Sequence, residues 1–490
     1  MSSGFVLAID QGTTNTKALV VGEDGRIVAS ASRPMSVHYP QPGWAEQSAD
    51  DIWRSVEAVA AEVLAVADGE VVAIAISNQR ETVVLWDAAT GEAIGPAVIW
   101  QCRRSAERCA ALRATGHADE ILDRTGLAVD PLFPAAKIAW LLDEIPGARA
   151  KAAAGTLRAG TVDAWLLWRL TGGAVHATDH SNASRTQLFN TSTLRWDERL
   201  AELFDVPLSI LPRVMPSDSR FGETTAGALP AGIPIHAMIG DSHAALFGQG
   251  VRTAGTVKAT YGTGSSLMTL TERRVNSRHG LSGTIAWSTG AGVVYALEGN
   301  ISVSGQAAAF MAELLGLADA AALSALAETV SDTNGVAFVP ALVGLGAPHW
   351  RDDARGIISG LSLGTKPAHL ARAALEAIAF QVTDALSAME ADIGAPMAQL
   401  RADGGASRNE FLMQFQADII GRSVVTASAP EVSALGAAAL AFSGLGIAMP
   451  PVPAAASFAP AMADEVRAAH RRRWDAAIAQ TLNTTTQGRN

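Results

Sequence analysis

The chain has 490 residues, of which 49% are hydrophobic and 17% charged, and its formal net charge is −11. This length suffices for two or more domains of ordinary size, each large enough to bury a core. The negative charge argues against nucleic acid or an anionic membrane as a partner, because both bind basic surfaces.

The two cysteines, Cys102 and Cys109, are expected to be free thiols. If the segment that holds them is helical, their Cα atoms lie roughly 10 Å apart, which is too far for a disulfide. Free thiols are typical of the reducing cytoplasm. The N-terminus shows no basic stretch followed by a long apolar run, so no signal peptide is expected. We therefore predict a cytoplasmic globular protein.

The first half of the chain alternates predicted strands and helices. It opens at Leu7 with LAIDQGTTNTKALVV, in which two apolar strands flank a polar turn, and RIVASAS follows as a third strand. Residues 48–68 carry apolar residues at helical spacing behind Ser48, a typical N-cap. EVVAIAISN is a continuous apolar run, as expected of a buried central strand. This alternation predicts an α/β fold.

The second half begins with the same pattern. The segment Val257 to Leu270, VKATYGTGSSLMTL, is again a strand, a Gly-Thr turn and a strand. LARAALEAIAFQVTDALSAME follows later as a long amphipathic helix, and LRADGGASRNEFLMQFQADIIG as a strand, a Gly-Gly turn and a helix. We predict two related domains, residues 1–244 and 245–455, and then a C-terminal helix and tail, residues 456–490. The basic run Arg471 to Arg473 in that tail is expected to be a solvated helix face.

Each Gly-Thr turn exposes backbone N–H groups and hydroxyls in a small volume, which suits an anion. Thr13, Thr14 and Thr263 supply hydroxyls, and Lys17 supplies a cation nearby. Asp10 precedes the first turn, where a Mg²⁺ ion on phosphates would need an oxygen ligand. Either turn alone is more simply explained as a plain hairpin. Two such turns in two domains predict a clamp for a polyphosphate.

The segment Asp403 to Asn409, DGGASRN, follows a predicted strand and opens a helix. Paired glycines allow a flat ring to lie against the backbone, so this segment could hold the adenosine end of a nucleotide. A tight strand-to-helix turn without a ligand is an equally good interpretation.

Four further side chains suggest chemistry on a polyol. Arg80 and Glu81 follow a buried strand, where ligands gather in α/β folds, and could bond neighbouring hydroxyls. Trp100 offers an apolar face for a carbon chain. Asp241 lies between a strand and a helix, so it could accept a hydroxyl proton during phosphoryl transfer. A simple helix N-cap is an equally good interpretation of Asp241.

Taken together, these segments resemble the FGGY family of carbohydrate kinases, and within it the glycerol kinases, over nearly the whole chain. The segments that carry the resemblance, in order, are AIDQGTTNTKALVV, ISNQRETVVLWD, VIWQCRR, GTVDAWLLWRLTGG, HSNASRTQLFN, YGTGS, TNGVAFVPALVGLGAPHW, GIISGLSLGT and DGGASRNEFLMQFQADI. The resemblance implies two actin/hexokinase/Hsp70-like (ribonuclease H-like) ATPase domains with the site in the cleft between them. It implies transfer of the γ-phosphoryl of ATP, with Mg²⁺, to a small polyol or sugar, and a homodimer or homotetramer is expected.

The resemblance also assigns roles to residues. Those expected to meet the phosphates or the metal are Asp10, Thr13, Thr14, Asn15 and Lys17, with Asp241 as a second metal ligand. Those expected to meet the nucleotide are Thr263, Gly305, Gly405 and Asn409. Those expected to hold the polyol are Arg80, Glu81, Trp100 and Asp241, with Asp241 also the general base.

Four positions of the predicted site depart from the glycerol kinase pattern. Lys17 stands where an arginine is usual, so a forked contact becomes a point charge. In the acceptor pocket, Leu132 replaces a tyrosine, Ser242 a glutamine and Ser266 a phenylalanine. The three smaller side chains would leave a glycerol pocket roomy and short of hydrogen bonds. The simplest inference is a longer or branched acceptor, such as a tetritol, a pentitol or a ketose, although glycerol itself remains open.

The alternatives are a catalytically idle sugar or nucleotide sensor on the same fold and a chaperone- or filament-like ATPase. Loss of a catalytic carboxylate or of a phosphate turn would favour the sensor, yet Asp10, Asp241 and both turns are present. A polyol-binding set argues against the chaperone or filament class. We therefore expect an active kinase.

Overall fold

The computed structural model describes residues 4–225 and 229–484, which form 23 strands, 15 α-helices and two short 3₁₀ helices. The strands are β1 (Phe5–Gln11), β2 (Asn15–Val21), β3 (Ile27–Pro34), β4 (Glu46–Gln47), β5 (Val71–Asn78), β6 (Val83–Asp87), β7 (Ala97–Val98), β8 (Leu157–Thr161), β9 (Ala177–Asp179), β10 (Phe189–Asn190), β11 (Arg195–Trp196), β12 (Arg213–Met215), β13 (Gly222–Glu223), β14 (Pro234–Gly240), β15 (Thr256–Tyr261), β16 (Ser265–Thr271), β17 (Ser282–Thr289), β18 (Gly292–Ile301), β19 (Ala337–Val339), β20 (Ile357–Ser359), β21 (Gln399–Asp403), β22 (Ser423–Ala427) and β23 (Ala454–Phe458).

The helices are α1 (Ala49–Val66), α2 (Ala106–Ala114), α3 (Ala118–Thr125), α4 (Pro134–Glu144), α5 (Ala148–Ala153), α6 (Val162–Leu170), α7 (His180–Ala183), α8 (Glu198–Phe204), α9 (Asp241–Gly248), α10 (Gly305–Leu314), α11 (Ala320–Ala327), α12 (Pro367–Ile393), α13 (Glu410–Ile420), α14 (Val432–Gly444) and α15 (Asp464–Thr484). The 3₁₀ helices are Leu208–Ile210 and Gly405–Arg408.

The first large sheet has the strand order β13-β14-β5-β1-β2-β3. Strands β1, β2 and β3 form an antiparallel meander, while β5 is parallel to β1 and β14 is parallel to β5. The predicted central strand β5 lies inside this sheet and is buried along most of its length. The predicted cap of α1 is confirmed, since the Ser48 hydroxyl accepts the Asp51 N–H at 3.1 Å.

The second large sheet, β17-β18-β16-β15-β21-β22-β23, repeats this arrangement. Strands β15, β16 and β18 are antiparallel neighbours, although β17 comes between β16 and β18 in the chain and pairs on the outer side of β18, and β21 and β22 run parallel to β15 and to each other. The repeated strand–turn–strand pattern in the sequence therefore corresponds to the same set of parallel and antiparallel neighbours around β1 and around β15. Because parallel strands present their carboxyl ends at one edge, each half has an edge of the kind at which α/β folds commonly bind ligands.

Two helices, α9 and α14, lie between the two sheets. Helix α14 belongs to the second half by sequence but packs against β1, β5 and β14 of the first sheet, and it also packs closely on α9. One apolar cluster accordingly joins residues of both sheets, including Ala8, Ala75, Ala244, Met268, Leu270 and Ala438. The predicted boundary at residue 244 falls inside α9, and the division of the chain into domains remains a prediction.

The expectation for the tail was partly wrong. Strand β23 crosses the predicted start of the tail and pairs with β22, which extends the second sheet. Arg471 donates to Asp384 at 2.7 Å and Arg473 donates to Thr333 at 2.8 Å, while Arg472 is exposed. The next residue, Trp474, is buried and stacks on Phe380. This aromatic anchor docks α15 and turns part of the basic face toward the protein.

Both cysteines are buried free thiols, as predicted. Cys109 lies in α2 and Cys102 precedes that helix, so the two cysteines do not share the single helix on which the expected separation of about 10 Å depends. In the described part of the chain, no helix has both the length and the apolar character needed to cross a membrane.

Glu376 of α12 should make stability depend on pH. Burial raises its pKa to about 7, despite an Arg372 N–H that donates to it at 2.9 Å. The folded pKa exceeds the unfolded value near 4.5. The stabilising effect of this group is therefore complete below the unfolded pKa and is lost as pH rises through about 7. As pH rises from 5 to 8, we expect the free energy of unfolding of Glu376→Gln to increase by up to about 3 kcal/mol relative to that of wild type.

The measurement is thermal unfolding of wild type and Glu376→Gln at both pH values. Glu328→Gln is a matched control because Glu328 is exposed and directly follows α11, the helix that packs next to α12. The control should shift by the same amount at both pH values. A difference between Glu376→Gln and wild type that does not change with pH would contradict the raised pKa.

Candidate active site

The first Gly-Thr turn joins β1 and β2. It is closed by a hydrogen bond from Gly12 N–H to the Asn15 carbonyl at 2.9 Å, and it presents Thr13, Thr14 and Asn15 at its tip. Thr14 is exposed, and Thr13 and Asn15 are half-buried. Lys17 lies on β2 opposite Asp10, with its ammonium 3.8 Å from a carboxylate oxygen of Glu431. The turn thus offers hydroxyls beside a cation.

Trp100 ties this turn to the neighbouring loop. Its indole N–H donates to the Thr13 hydroxyl at 2.9 Å, and that hydroxyl donates to Gln79 at 3.1 Å. The Gln79 amide in turn donates to Gln11 and Gln47. Trp100 therefore fixes a hydroxyl of the predicted phosphate turn, and its contact with a carbon chain remains a prediction.

The second Gly-Thr turn joins β15 and β16 and touches the start of α10. The Thr263 carbonyl accepts N–H groups of Ser304 and Gln306, and Gly305 N–H donates to Gly262 at 3.0 Å. A Cβ atom on Gly305 would lie 2.6 Å from the Gly262 carbonyl oxygen, so glycine is required for this approach. Thr263 and Gly305, predicted separately, are thus neighbours.

The Gly-Gly turn after β21 approaches the same hairpin. A Cβ on Gly404 would lie 2.6 Å from the Tyr261 carbonyl oxygen, and Gly405 opens the short 3₁₀ helix that follows. Asn409 caps α13, since its side chain accepts Leu412 N–H at 2.9 Å and donates to Ser324 at 2.6 Å. The Asn409 amide thus has a structural role, and its predicted nucleotide contact remains a prediction.

Two carboxylates approach each other from the first sheet. Asp10 is the next-to-last residue of β1 and accepts the Ser77 hydroxyl at 2.7 Å. Burial raises the pKa of Asp10 to about 6 against the effect of that hydrogen bond, and the charge of Asp241 raises it further. Asp241 begins α9, directly after β14. A pair of carboxylates suits Mg²⁺, which commonly uses one or two protein carboxylates.

Asp241 is oriented by Arg80. The Arg80 Nε–H donates to Asp241 Oδ1 at 3.0 Å, and Ser242 N–H donates to the same oxygen at 2.6 Å. The stem of Arg80 passes over Gly240, where a Cβ would lie 2.6 Å from Arg80 Cδ. Both hydrogen bonds that the structure shows to this carboxylate therefore converge on Oδ1, and the side chain remains 36% exposed.

Arg80 belongs to a buried ion cluster that the sequence analysis missed in part. Arg80 Nη1 lies 2.7 Å from Glu298 Oε1, and Arg185 Nη2 lies 2.8 Å from Glu298 Oε2. Arg185 Nε–H also donates to Glu81 at 2.7 Å. Although burial would raise the pKa of Glu298, the two guanidinium groups hold it far below its usual range. The sequence signal that could have indicated this cluster was Glu298, a single glutamate in the apolar run VVYALEGN.

The two serines that replace larger pocket residues both join this cluster. Ser242 Oγ accepts from Arg80 Nη2 at 3.3 Å, and Ser266 Oγ donates to Glu298 Oε1 at 2.8 Å. Leu132, the third replacement, is half-buried. The structure thus places Ser242 beside Arg80 and Ser266 beside Glu298, the partner of Arg80.

Lys137 of α4 was also missed. Its ammonium is buried and donates to the carbonyl oxygens of Glu81 at 2.9 Å and Leu132 at 2.7 Å. Burial lowers its pKa to about 7. Glu81 adopts a left-handed backbone with φ of 60°, which is unusual for a residue with a side chain. Lys137 therefore links this strained residue to the Leu132 loop.

Lys258 of β15 is a second buried ammonium that the sequence analysis missed. Burial lowers its pKa, against the opposing charges of Asp403 and Asp241. Asp403 in turn accepts from Gln249, at the end of α9, at 2.5 Å. Lys258 thus lies near carboxylates from both halves of the chain.

Two family models match the chain. The N-terminal domain of the FGGY family of carbohydrate kinases matches residues 5–248, and the C-terminal domain of the same family matches residues 257–445.

Comparisons with individual proteins agree with the two family models. A glycerol kinase of Symbiobacterium thermophilum is 51% identical over 446 residues, covering 90% of each chain. A glycerol kinase of Bordetella parapertussis is 46% identical over 489 residues, covering 97% of this chain and 96% of its own. The crystal structure of Plasmodium falciparum glycerol kinase with ADP superposes with a TM-score of 0.92 at 34% identity, covering 98% of both chains.

Proposed function

We propose, from the premise that the chain belongs to the FGGY family of carbohydrate kinases, that it transfers the γ-phosphoryl of ATP to a hydroxyl of a small polyol or sugar, with Asp241 as general base. The chain is a glycerol kinase-like phosphotransferase with the two-domain actin/hexokinase-like ATPase fold. The idle-sensor alternative has no support, since the relatives described above are named as kinases.

The observation that carries the proposal is the orientation of Asp241. Arg80 and the Ser242 N–H both bond Oδ1, which leaves Oδ2 for an acceptor hydroxyl. A carboxylate held in this way can take the hydroxyl proton as the oxygen attacks the γ-phosphorus. The Arg80 guanidinium carries donors that also suit a neighbouring hydroxyl, and Glu81 offers an acceptor.

The family uses ATP, and the two Gly-Thr turns are proposed to hold its phosphates. Thr13, Thr14, Asn15 and Lys17 would contact them from the first sheet. Thr263 and Gly305 would contact them from the second, where backbone N–H groups and glycine allow close approach. Gly405 and Asn409 would lie toward the adenosine.

Mg²⁺ would be held by Asp10 and Asp241, and when bound it neutralises charge that develops on the phosphate oxygens. Asp10 fits this role because its carboxylate lies at the base of the first turn with a single hydroxyl donor, Ser77. In the described residues, no cluster of three or more acidic, histidine or cysteine ligands is present. The remaining ligands would therefore be phosphate oxygens and water.

The acceptor is proposed to be glycerol or a longer polyol or ketose. The relatives are named glycerol kinase, which supports glycerol. The small side chains of Leu132, Ser242 and Ser266 support room for additional carbons and hydroxyls. The predicted homodimer or homotetramer and the cytoplasmic location remain predictions.

The test is a coupled ADP-release assay across glycerol, the tetritols, the pentitols and common ketoses. We expect turnover of at least one longer acceptor with a kcat/KM at least equal to that of glycerol. The triple variant Leu132→Tyr, Ser242→Gln, Ser266→Phe should reverse that preference toward glycerol by about 10- to 100-fold, because each lost or gained pocket contact changes selectivity by about that much.

A wild-type enzyme that prefers glycerol, with no change in the triple variant, would show that the three positions do not set the acceptor. Absence of turnover with every acceptor would contradict the proposed function itself. Thermal unfolding of the triple variant serves as the folding control.

A further inference from the structure

Glu298 is a buried carboxylate that nothing in its own strand requires. It lies in the middle of β18, is 0% exposed, and pairs in register with Met268 and Ser282. Burying a carboxylate destabilises the fold unless partners compensate its charge. Its partners come from the first half of the chain, since Arg80 and Arg185 each pair with one of its oxygens.

The geometry of Arg80 shows what this pairing achieves. At one end the guanidinium meets Glu298 from the second sheet, and at the other end it donates to Asp241 and Ser242 at the start of α9. Arg80 therefore connects the two halves of the chain. The position of its guanidinium depends on the carboxylates of both Glu298 and Asp241. A freed guanidinium could rotate away from Asp241 Oδ1, because arginine has many accessible rotamers.

We propose that Glu298 is a positioning residue for phosphoryl transfer: it holds the Arg80 guanidinium in the orientation that fixes Asp241 and the acceptor. This inference rests on the proposed function. Ser266 supports it, since its hydroxyl donates to the Glu298 oxygen that pairs with Arg80. The second half of the chain thereby contributes to the acceptor site through Glu298, whose buried side chain holds Arg80.

The first test is Glu298→Gln, which keeps the shape and removes the charge. Because Arg80 loses its anchor, we expect the acceptor KM to rise and kcat to fall, with kcat/KM for the acceptor at least about tenfold lower. The KM for ATP should change less than about twofold, since the two Gly-Thr turns are untouched. Glu298→Asp keeps the charge with a shorter reach and should give an intermediate acceptor KM.

Glu376→Gln is the matched control. Glu376 is likewise a buried glutamate on the second half with an arginine partner, but it lies in α12 and should leave both KM values unchanged. A merely structural role for Glu298 would raise both KM values together, and that result would overturn the inference. Wild-type kinetics in Glu298→Gln would overturn it too.

If Glu298→Gln does not fold, Glu298→Asp decides: a raised acceptor KM with unchanged ATP KM supports positioning, and any other pattern contradicts it. The wild-type enzyme separates this inference from the proposed function. If wild type phosphorylates no acceptor, the proposed function fails. If wild type is active and Glu298→Gln equals it, only the role of Glu298 fails.

Discussion

Asp241→Asn is expected to lower kcat by about 10²- to 10⁴-fold, the usual contribution of a general base. Asparagine is close in shape to aspartate, and its oxygen can still accept from Arg80 and from Ser242 N–H, as Oδ1 does now. The amide cannot take up the acceptor proton, so the chemical step is slowed while the local structure is retained. The measurement is steady-state ADP release at saturating ATP and acceptor, with Tm as the folding check.

A matched control is Asp197→Asn. Asp197 also stands at the start of a helix, α8, accepts from backbone N–H groups and pairs with an arginine, Arg124. It plays no part in the proposed site, so its kcat should equal that of wild type. Near-normal turnover in Asp241→Asn would reject Asp241 as the base, whereas a loss in both variants would point to a general effect of removing a helix-start carboxylate.

Local sequence patterns were sufficient to predict the two hairpins and the residues that lie on them. The apolar–polar–apolar runs around Gly12 and Gly262 predict strand–turn–strand units, and the structure has both. Asp241 could be singled out because it stands at the junction of β14 and α9. Each of these features is encoded within about fifteen residues, the range over which sequence patterns are informative.

The ion cluster could not be predicted in the same way. Glu298 meets Arg80 and Arg185 from another sheet, and no local period relates these positions. The sequence analysis also gave Lys137 no role, whereas its ammonium turns inward to two carbonyl oxygens. Such contacts depend on how the halves pack. A buried charge in an apolar strand indicates a partner but not its identity.

The tail shows the opposite error, in which a local pattern was trusted too far. Three consecutive arginines normally indicate a solvated face, but Trp474 directly follows them and is buried against Phe380. The hydrophobic burial of a tryptophan outweighs the preference of the neighbouring arginines for water, since their long stems can reach acceptors such as Asp384. Tertiary packing thus decided the orientation of the helix.

The crossing of α9 and α14 connects this packing to the chemistry. Helix α9 carries Asp241 at its first position, and α14 packs both on α9 and on the first sheet. The contact is made by backbone: a Cβ on Gly436 would lie 1.8 Å from the Ala244 carbonyl oxygen and 3.0 Å from the Gly248 nitrogen. No flexible side chain is available to move aside, so the two helices would have to separate.

Gly436→Ala is therefore expected to be strongly destabilising. Overpacking of a close contact costs about 1–3 kcal/mol or more, which exceeds the gain of about 1 kcal/mol from the better helix propensity of alanine. We expect Tm to fall by about 2–5 °C, since about 1 kcal/mol shifts Tm by only about 2–4 °C in domains of this size. We also expect kcat to fall by about 10²-fold in the folded enzyme, because a shift of about 1 Å in α9 would misplace Asp241. Thermal unfolding and ADP release below the transition measure the two effects.

Ser443→Ala is the control on the same helix, since Ser443 is exposed and the change has the same sense in helix propensity. It should leave Tm and kcat near their wild-type values. A normal Tm with a reduced kcat in Gly436→Ala would mean that α9 moves at little cost, so that the crossing sets the position of Asp241 without stabilising the fold. Wild-type values of both quantities would contradict the close crossing, and with it the idea that α14 holds the proposed base against the first sheet.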